Sequence, residues 1–315
     1  MLSRGWRPAV APRVAGWSVA LSVLLLIGNV AMATTGAVAA AGSRFTQGDQ
    51  RSPQPLPNNV RPTLADAARD REVLASDGCT LSEVAVEPRT CIFGNPSGQV
   101  TVALVGDSHA AQWFPALNQI AKQRGWRLVT FTKVACRFVD MRIYSRTLKR
   151  EYTECERWRT IVVQRLVALA PALVIVGSSR GMAPMVAADG DPKRQGQAMA
   201  RLLRPIKSRI AVLVDTPWWT SDVPTCLAGH QRDVRACDVA RPVALGWRHG
   251  IAERTAVAGM GATLVDMTNA ICPSDPCRAV ASNMIIYRDS FHLTATFAAA
   301  LAPRLSALLP QPGTR

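Results

Sequence analysis

The sequence predicts a three-layer α/β domain on a parallel sheet of five strands, with one hydrophobic N-terminal helix ahead of it. Three observations carry that prediction. Five short apolar runs, at residues 100–105, 127–132, 173–177, 210–215 and 262–266, are each followed by a loop or helical pattern. The helical patterns fall at 110–124, 151–170, 193–204, 240–259 and 294–309, and strands that alternate with helices need the long crossovers of a parallel sheet. Finally, 315 residues at 48% apolar composition are enough to bury one sizeable core.

Taken in order, the chain begins with Arg4, Arg7 and Arg13 and no acid before an uncharged segment at 17–41. That segment is long enough to cross a bilayer, and its tail of small residues equally matches a signal-peptidase site, so 1–41 reads as a signal peptide or a membrane anchor. Either way the arginines direct the rest of the chain out of the cytoplasm. Residues 42–78 read as a linker, polar and rich in Pro, Gln, Ser and Asn up to residue 62, with a weak helical pattern after it. The domain is expected over 79–315.

Eight cysteines, at 79, 91, 136, 155, 226, 237, 272 and 277, form four sequence-local pairs. In an exported chain an even count reads as disulfides, and the most economical pairing is Cys79–Cys91, Cys136–Cys155, Cys226–Cys237 and Cys272–Cys277. The competing reading is a metal site. Cys272 and Cys277 are the one tight pair, and no second close pair or nearby histidine completes a four-ligand set, so no metal is expected.

The first strand breaks off in Gly106-Asp107-Ser108-His109 and resumes with helix formers. A serine on such a turn sits at the carboxyl end of a strand, beside the free N–H groups of a helix start, where a nucleophile is well placed. Far downstream, Asp289 and His292 stand three residues apart, so the carboxylate can orient the imidazole that takes the serine proton. Taken singly, Ser108 reads as a helix N-cap, His292 as a residue packed under the last helix and Asp289 as a turn former. Together, in the order Ser…Asp…His, they read as a catalytic triad. Turnover is then expected to rise with pH through the imidazole titration, near its ordinary value or above it because of the carboxylate.

Gly106-Asp-Ser-His109, the following Ala-x-x-Trp-x-Pro-x-Leu and the terminal Asp289-x-x-His292-Leu-Thr resemble the SGNH hydrolase family. More narrowly they resemble the extracytoplasmic SGNH domain fused behind acyltransferase-3 membrane domains in envelope O-acylation proteins, and the resemblance covers roughly residues 79–310. It implies a flavodoxin-like sheet of strand order 2-1-3-4-5 and serine acyl transfer on an envelope polysaccharide or glycolipid, as O-acyltransferase or esterase. It also implies a membrane acyltransferase-3 partner and no cofactor.

The sequence departs from the family at the oxyanion hole. Where the family has Asn in a Gly-x-Asn-Asp block, this chain reads Gly177-Ser-Ser179-Arg180, and the loop 133–137 lies where the second-block Gly is expected. Ser179 is thus the candidate replacement donor. Arg180 reads either as an electrostatic substitute or as a surface residue, and the loss of one donor costs a barrier about 3 kcal/mol. His109 is expected to point away from the serine hydroxyl. Trp218, Trp219 and Trp113 are candidates for a sugar-stacking surface or for the core. The formal net charge of +15 draws an exported domain toward anionic surfaces, or reflects an Arg-rich composition alone. With no basic helix or base-stacking motif, nucleic acid is not expected as a partner. The alternative function is a catalytically silent module that binds glycan or docks to the acyltransferase.

Overall fold

The computed structural model of the chain describes residues 52–181 and 190–313. The expected signal or anchor segment, 1–41, lies outside them, and no helix among the described residues is long and apolar enough to cross a membrane. The strands in chain order are β1 (Thr80–Leu81), β2 (Cys91–Gly94), β3 (Val100–Gly106), β4 (Trp126–Lys133), β5 (Tyr144–Ser145), β6 (Arg150–Glu151), β7 (Leu173–Gly177), β8 (Arg209–Leu213), β9 (Thr263–Val265), β10 (Val280–Ala281) and β11 (Met284–Ile285). The helices are α1 (Ser108–Ala111), α2 (Phe114–Arg124), α3 (Thr153–Leu169), α4 (Pro192–Leu203), α5 (Val223–Gly229), α6 (Arg241–Leu245), α7 (Ile251–Met260), α8 (Thr268–Ile271), α9 (Ala295–Ala300) and α10 (Ala302–Leu308).

The expected five parallel strands are β4-β3-β7-β8-β9, in the order 2-1-3-4-5. The sheet nevertheless has seven strands, which corrects the expected count. The open edge of β4 is shared by β1, parallel to Thr132 and Lys133, and β2, antiparallel to residues 127–130. The Cys79–Cys91 disulfide joins these two short pieces. Strands of two and four residues are too short to show a period of two, which is why they do not register in the sequence.

Alternate residues along each strand feed separate cores. Val102, Leu104, Leu128, Leu173, Ile175 and Leu213 pack toward α2, α9 and α10 with Phe114, Leu117, Ile120, Phe297 and Leu305. Ala103, Val105, Val129, Val174, Val176 and Val212 pack toward α3, α4 and α7 with Trp158, Val162, Met199, Leu203 and Ala256. A sheet buried on both faces explains why its strands read as unbroken apolar runs rather than alternating ones. Three expected helices are each split. The pattern at 110–124 breaks at Gln112 and Trp113, ahead of Pro115 in the first turn of α2. The pattern at 240–259 breaks between α6 and α7, where Gly246 and Gly250 adopt positive φ, and the pattern at 294–309 breaks at Leu301, ahead of Pro303 in the first turn of α10.

From Gln54 onward the stretch read as a linker lies on the domain, the Gln54 carbonyl accepting from the Val234 N–H. The Leu56 N–H donates to the Gln231 carbonyl, and Val60, Ala67 and Leu74 are buried in the core on the α2 side. All four disulfides pair as the spacing predicts. Each closes a short loop, and the chain-entropy model assigns about 3 kcal/mol to a loop near 15 residues.

Candidate active site

The carboxyl ends of β3, β4, β7 and β8 converge, and the candidate residues lie there. Strand β3 ends at Gly106, directly opposite Gly177 of β7. Gly106 has φ +144°, and a side chain there would overlap the Gly177 carbonyl; a Cβ on Gly177 would stand 2.9 Å from the Ala110 Cα. Both glycines let α1 sit against the strand ends, which brings Ser108 onto the rim of the sheet. Asp107, fully buried, is the N-cap of α1. Its Oδ1 accepts from the His109 N–H at 2.9 Å and its Oδ2 from the Ser179 N–H at 2.9 Å, which ties the serine turn to the end of β7. Burial raises the Asp107 carboxyl above the ordinary carboxylate range.

The loop between β11 and α9 brings the other two residues. It closes through the Arg288 N–H to the His292 carbonyl and is capped by Thr294, whose hydroxyl accepts from the Phe297 N–H. Asp289 both forms the turn and faces the imidazole: Oδ1 accepts from the N–H groups of Phe291 (2.8 Å) and His292 (2.7 Å), while Oδ2 is 2.7 Å from His292 Nδ1. His292 Nε2 is 2.8 Å from Ser108 Oγ. Gln112 of the turn after α1 holds the two halves together. Its Oε1 accepts from the Leu293 N–H at 2.8 Å, and its Nε2 donates to the His109 carbonyl at 3.2 Å.

The electrostatics depart from expectation. Burial pushes His292 down to about 4; its hydrogen bond to Asp289 opposes this and the charge of His109 adds to it. The expected pKa at or above 6.5 is thereby reversed. Asp289 is held at about 2: burial would raise it, but the hydrogen bond and charge of His292 outweigh burial.

His109 does not stand idle. It is buried, its Nδ1 is 2.5 Å from Asp215 Oδ1 at the end of β8, and its ring centroid is 4.7 Å from that of His292. Arg180 is neither a surface residue nor part of the pocket lining. Its guanidinium donates to the carbonyls of Ala244 (2.6 Å) and Leu245 (2.5 Å) and to His249 Nδ1 (2.9 Å), and lies over the Trp218 ring. Ser179 lies beside Ser108, and its Oγ accepts from the Gly181 N–H at 3.2 Å. Trp218 lines the pocket. Trp219 and Trp113 are core residues, with the Trp219 indole N–H bonded to the Cys237 carbonyl, so the stacking surface read for Trp219 is corrected.

A pocket of about 340 Å³ opens over Ser108 and His292, lined also by Ser179, Trp218 and Phe291 and by Val134, Ala135, Glu83, Arg146 and Thr147. Ala135 takes a left-handed backbone, φ +54°, in the loop where a glycine was expected. Nothing in the sequence announces a non-glycine residue in that conformation. A larger cleft of about 460 Å³ lies where β8 and β9 begin, and no imidazole or carboxylate lines it. Cys226, His230 and Cys237 gather within 4.8 Å, but the two sulfurs are bonded to each other.

The model of the SGNH domain fused to acyltransferase-3 domains matches residues 77–307. The chain belongs to that family. Among solved structures, the SGNH fold of this chain is similar to the periplasmic domain of a lipopolysaccharide acetyltransferase from Salmonella ser. Paratyphi A. The two are 17% identical, with a TM-score of 0.55 over 77% of this chain and 93% of that one. No curated protein matches the chain.

Proposed function

We propose that this SGNH domain is an extracytoplasmic serine acyl-transfer enzyme acting on O-acyl groups of an envelope polysaccharide or glycolipid, beside an acyltransferase-3 partner. The observation that carries the reading is the continuous line of hydrogen bonds from Ser108 Oγ through His292 to Asp289, opening on a pocket. Family membership and the four disulfides support the reaction class and the location.

In this reading His292 Nε2 takes the Ser108 proton as Oγ attacks the acyl carbonyl. The tetrahedral adduct collapses when His292 returns that proton to the departing alcohol, leaving an acyl-Ser108 ester. A second hydroxyl, from an acceptor sugar or water, is deprotonated by His292 and attacks the ester, and His292 then hands that proton to the departing Ser108 Oγ, which restores the free serine. Asp289 holds the Nδ1–H tautomer and stabilises the imidazolium. The negative oxygen is received by the Ser108 N–H, which has no intrahelical acceptor at the first position of α1, together with the Ala135 N–H and the Ser179 hydroxyl in place of the Asn.

The test is turnover of an aryl acetate by the full chain, and the O-acyl content of envelope glycans from cells with and without it. Wild type active, Ser108→Ala inactive and a glycan that loses acyl groups with the protein are the expected results. An inert wild type together with unchanged glycans would put the silent binding module in its place.

A further inference from the structure

Beside the Ser108–His292–Asp289 line stands a second His–Asp pair that the proposed reaction does not use. The Asp215 side chain is buried, and its carboxylate has four nitrogen partners at 2.5–3.0 Å: Thr216 N and His109 Nδ1 on Oδ1, Arg180 N and the Trp218 indole on Oδ2. Three of these partners, the N–H groups of Thr216, Arg180 and the Trp218 indole, can only donate, which favours the ionised carboxylate and leaves His109 Nδ1 to supply the fourth hydrogen.

The His109 ring also builds the wall around the candidate base. It lies nearly parallel to Phe291 (14°, centroids 5.7 Å), and Phe291 in turn touches both His292 (4.5 Å) and Trp218 (5.0 Å). We propose that His109, held as a cation by Asp215, is a positioning residue for His292: it fixes the Phe291–His292 turn and denies His292 a second proton, so Nε2 stays open to Ser108.

The charges that face the pair come from every side. Asp107 lies on the α1 cap, Asp289 and Arg288 on the His292 loop, Arg180 at the end of β7, Arg137 on the loop after β4, Glu253 on α7 and Tyr287 before the loop. Asp107 and Asp215 favour the charged His109 and outweigh its burial, which alone would lower it. His292 has one carboxylate, Asp289, against the cations His109 and Arg288. The two imidazoles therefore hold opposite protonation states in one pocket.

The proposal rests on His292 as the base, and the experiment separates the two claims. The full chain is labelled with ¹⁵N-histidine, and its four histidines are assigned by substitution. The ring nitrogens are then followed with pH in wild type, in His109→Gln, which keeps an N–H donor for Asp215 without the charge, and in Asp215→Asn. Wild type should show His109 protonated at both nitrogens at pH 7 and His292 at one. In both variants the His292 midpoint should rise by about one pH unit or more, and the acid limb of Ser108 labelling by a fluorophosphonate should move with it. A singly protonated His109 in wild type overturns the proposal, with no variant needed. So does a His292 midpoint that His109→Gln leaves in place. A wild type that never labels removes the nucleophile reading instead, and the ring titrations still decide the role of His109.

Discussion

Replacing Gln112 with Ala should separate the two halves of the site. Gln112 is buried, and its amide is a direct bond between the turn that carries Ser108 and the loop that carries His292. Truncation leaves the Leu293 N–H without its acceptor in the interior, a cost of about 1–3 kcal/mol. For a domain of this size 1 kcal/mol moves Tm by about 2–4 °C, so a fall of about 2–12 °C is expected. The loop keeps its other anchors, the Thr216 hydroxyl to the Phe291 carbonyl and the Trp219 N–H to the Ser290 carbonyl, so the fold should persist. What changes is registration. A shift of about 1 Å between nucleophile and base costs on the order of 100-fold in rate, so fluorophosphonate labelling of Ser108 should slow by at least about tenfold at saturating pH. The assay is the second-order labelling rate beside a thermal melt of the same sample. A Tm that falls as predicted with an unchanged labelling rate would refute the reasoning, because Gln112 would then be packing and nothing more.

Gly177→Ala puts a Cβ 2.9 Å from the Ala110 backbone, so it should cost about 1–3 kcal/mol in a melt and depress Ser108 labelling; a wild-type melt would contradict this. Glu253 is raised to about 7 by burial, with Asp215 adding to the rise, so its contribution is full below its ordinary value near 4.5 and is lost as pH climbs through 7. Glu253→Gln should therefore remove a stability decline of up to about 3 kcal/mol between pH 5 and pH 8 in denaturant unfolding, and an identical decline in both proteins would count against it. With His292 at about 4, aryl acetate turnover should hold its plateau down to about pH 5, and an acid limb at 6.5 would show an unperturbed imidazole. His292→Ala should remove nearly all turnover and Asp289→Asn less; the reverse ranking would mean that Asp289 does more than orient the ring.

The parts of the fold legible in the sequence are those that a period or a punctuation mark encodes. β3, β4, β7, β8 and β9 stand out because both faces are covered, and their order came from the family resemblance rather than from any pattern. The breaks at Gly246, Gly250 and Pro303 were written in the sequence too, but an apolar stripe running through them reads as one helix. Ser108, Asp289 and His292 are legible because chemistry constrains their types and the short spacing of the last two. The His109–Asp215 pair is not, since 106 residues separate partners that come together only because β3 and β8 flank β7 and end on the same edge of the sheet. The Gln112 bridge to Leu293, across 181 residues, is hidden for the same reason. Of the two readings of Arg180 the surface one fails, because an arginine after a strand end looks solvated until α6 supplies the carbonyls that bind it. The direction of the His292 shift was misread because the sequence shows the neighbouring carboxylate and hides both the burial and the second imidazole.

The central claim is that Ser108 is a nucleophile activated by His292. Its most direct test is treatment of the full chain with a fluorophosphonate, followed by peptide mass spectrometry. The account predicts one adduct, on Ser108, absent in Ser108→Ala and suppressed by at least about 100-fold in His292→Ala. A folded wild type with no adduct, or one that labels equally well without His292, would contradict it.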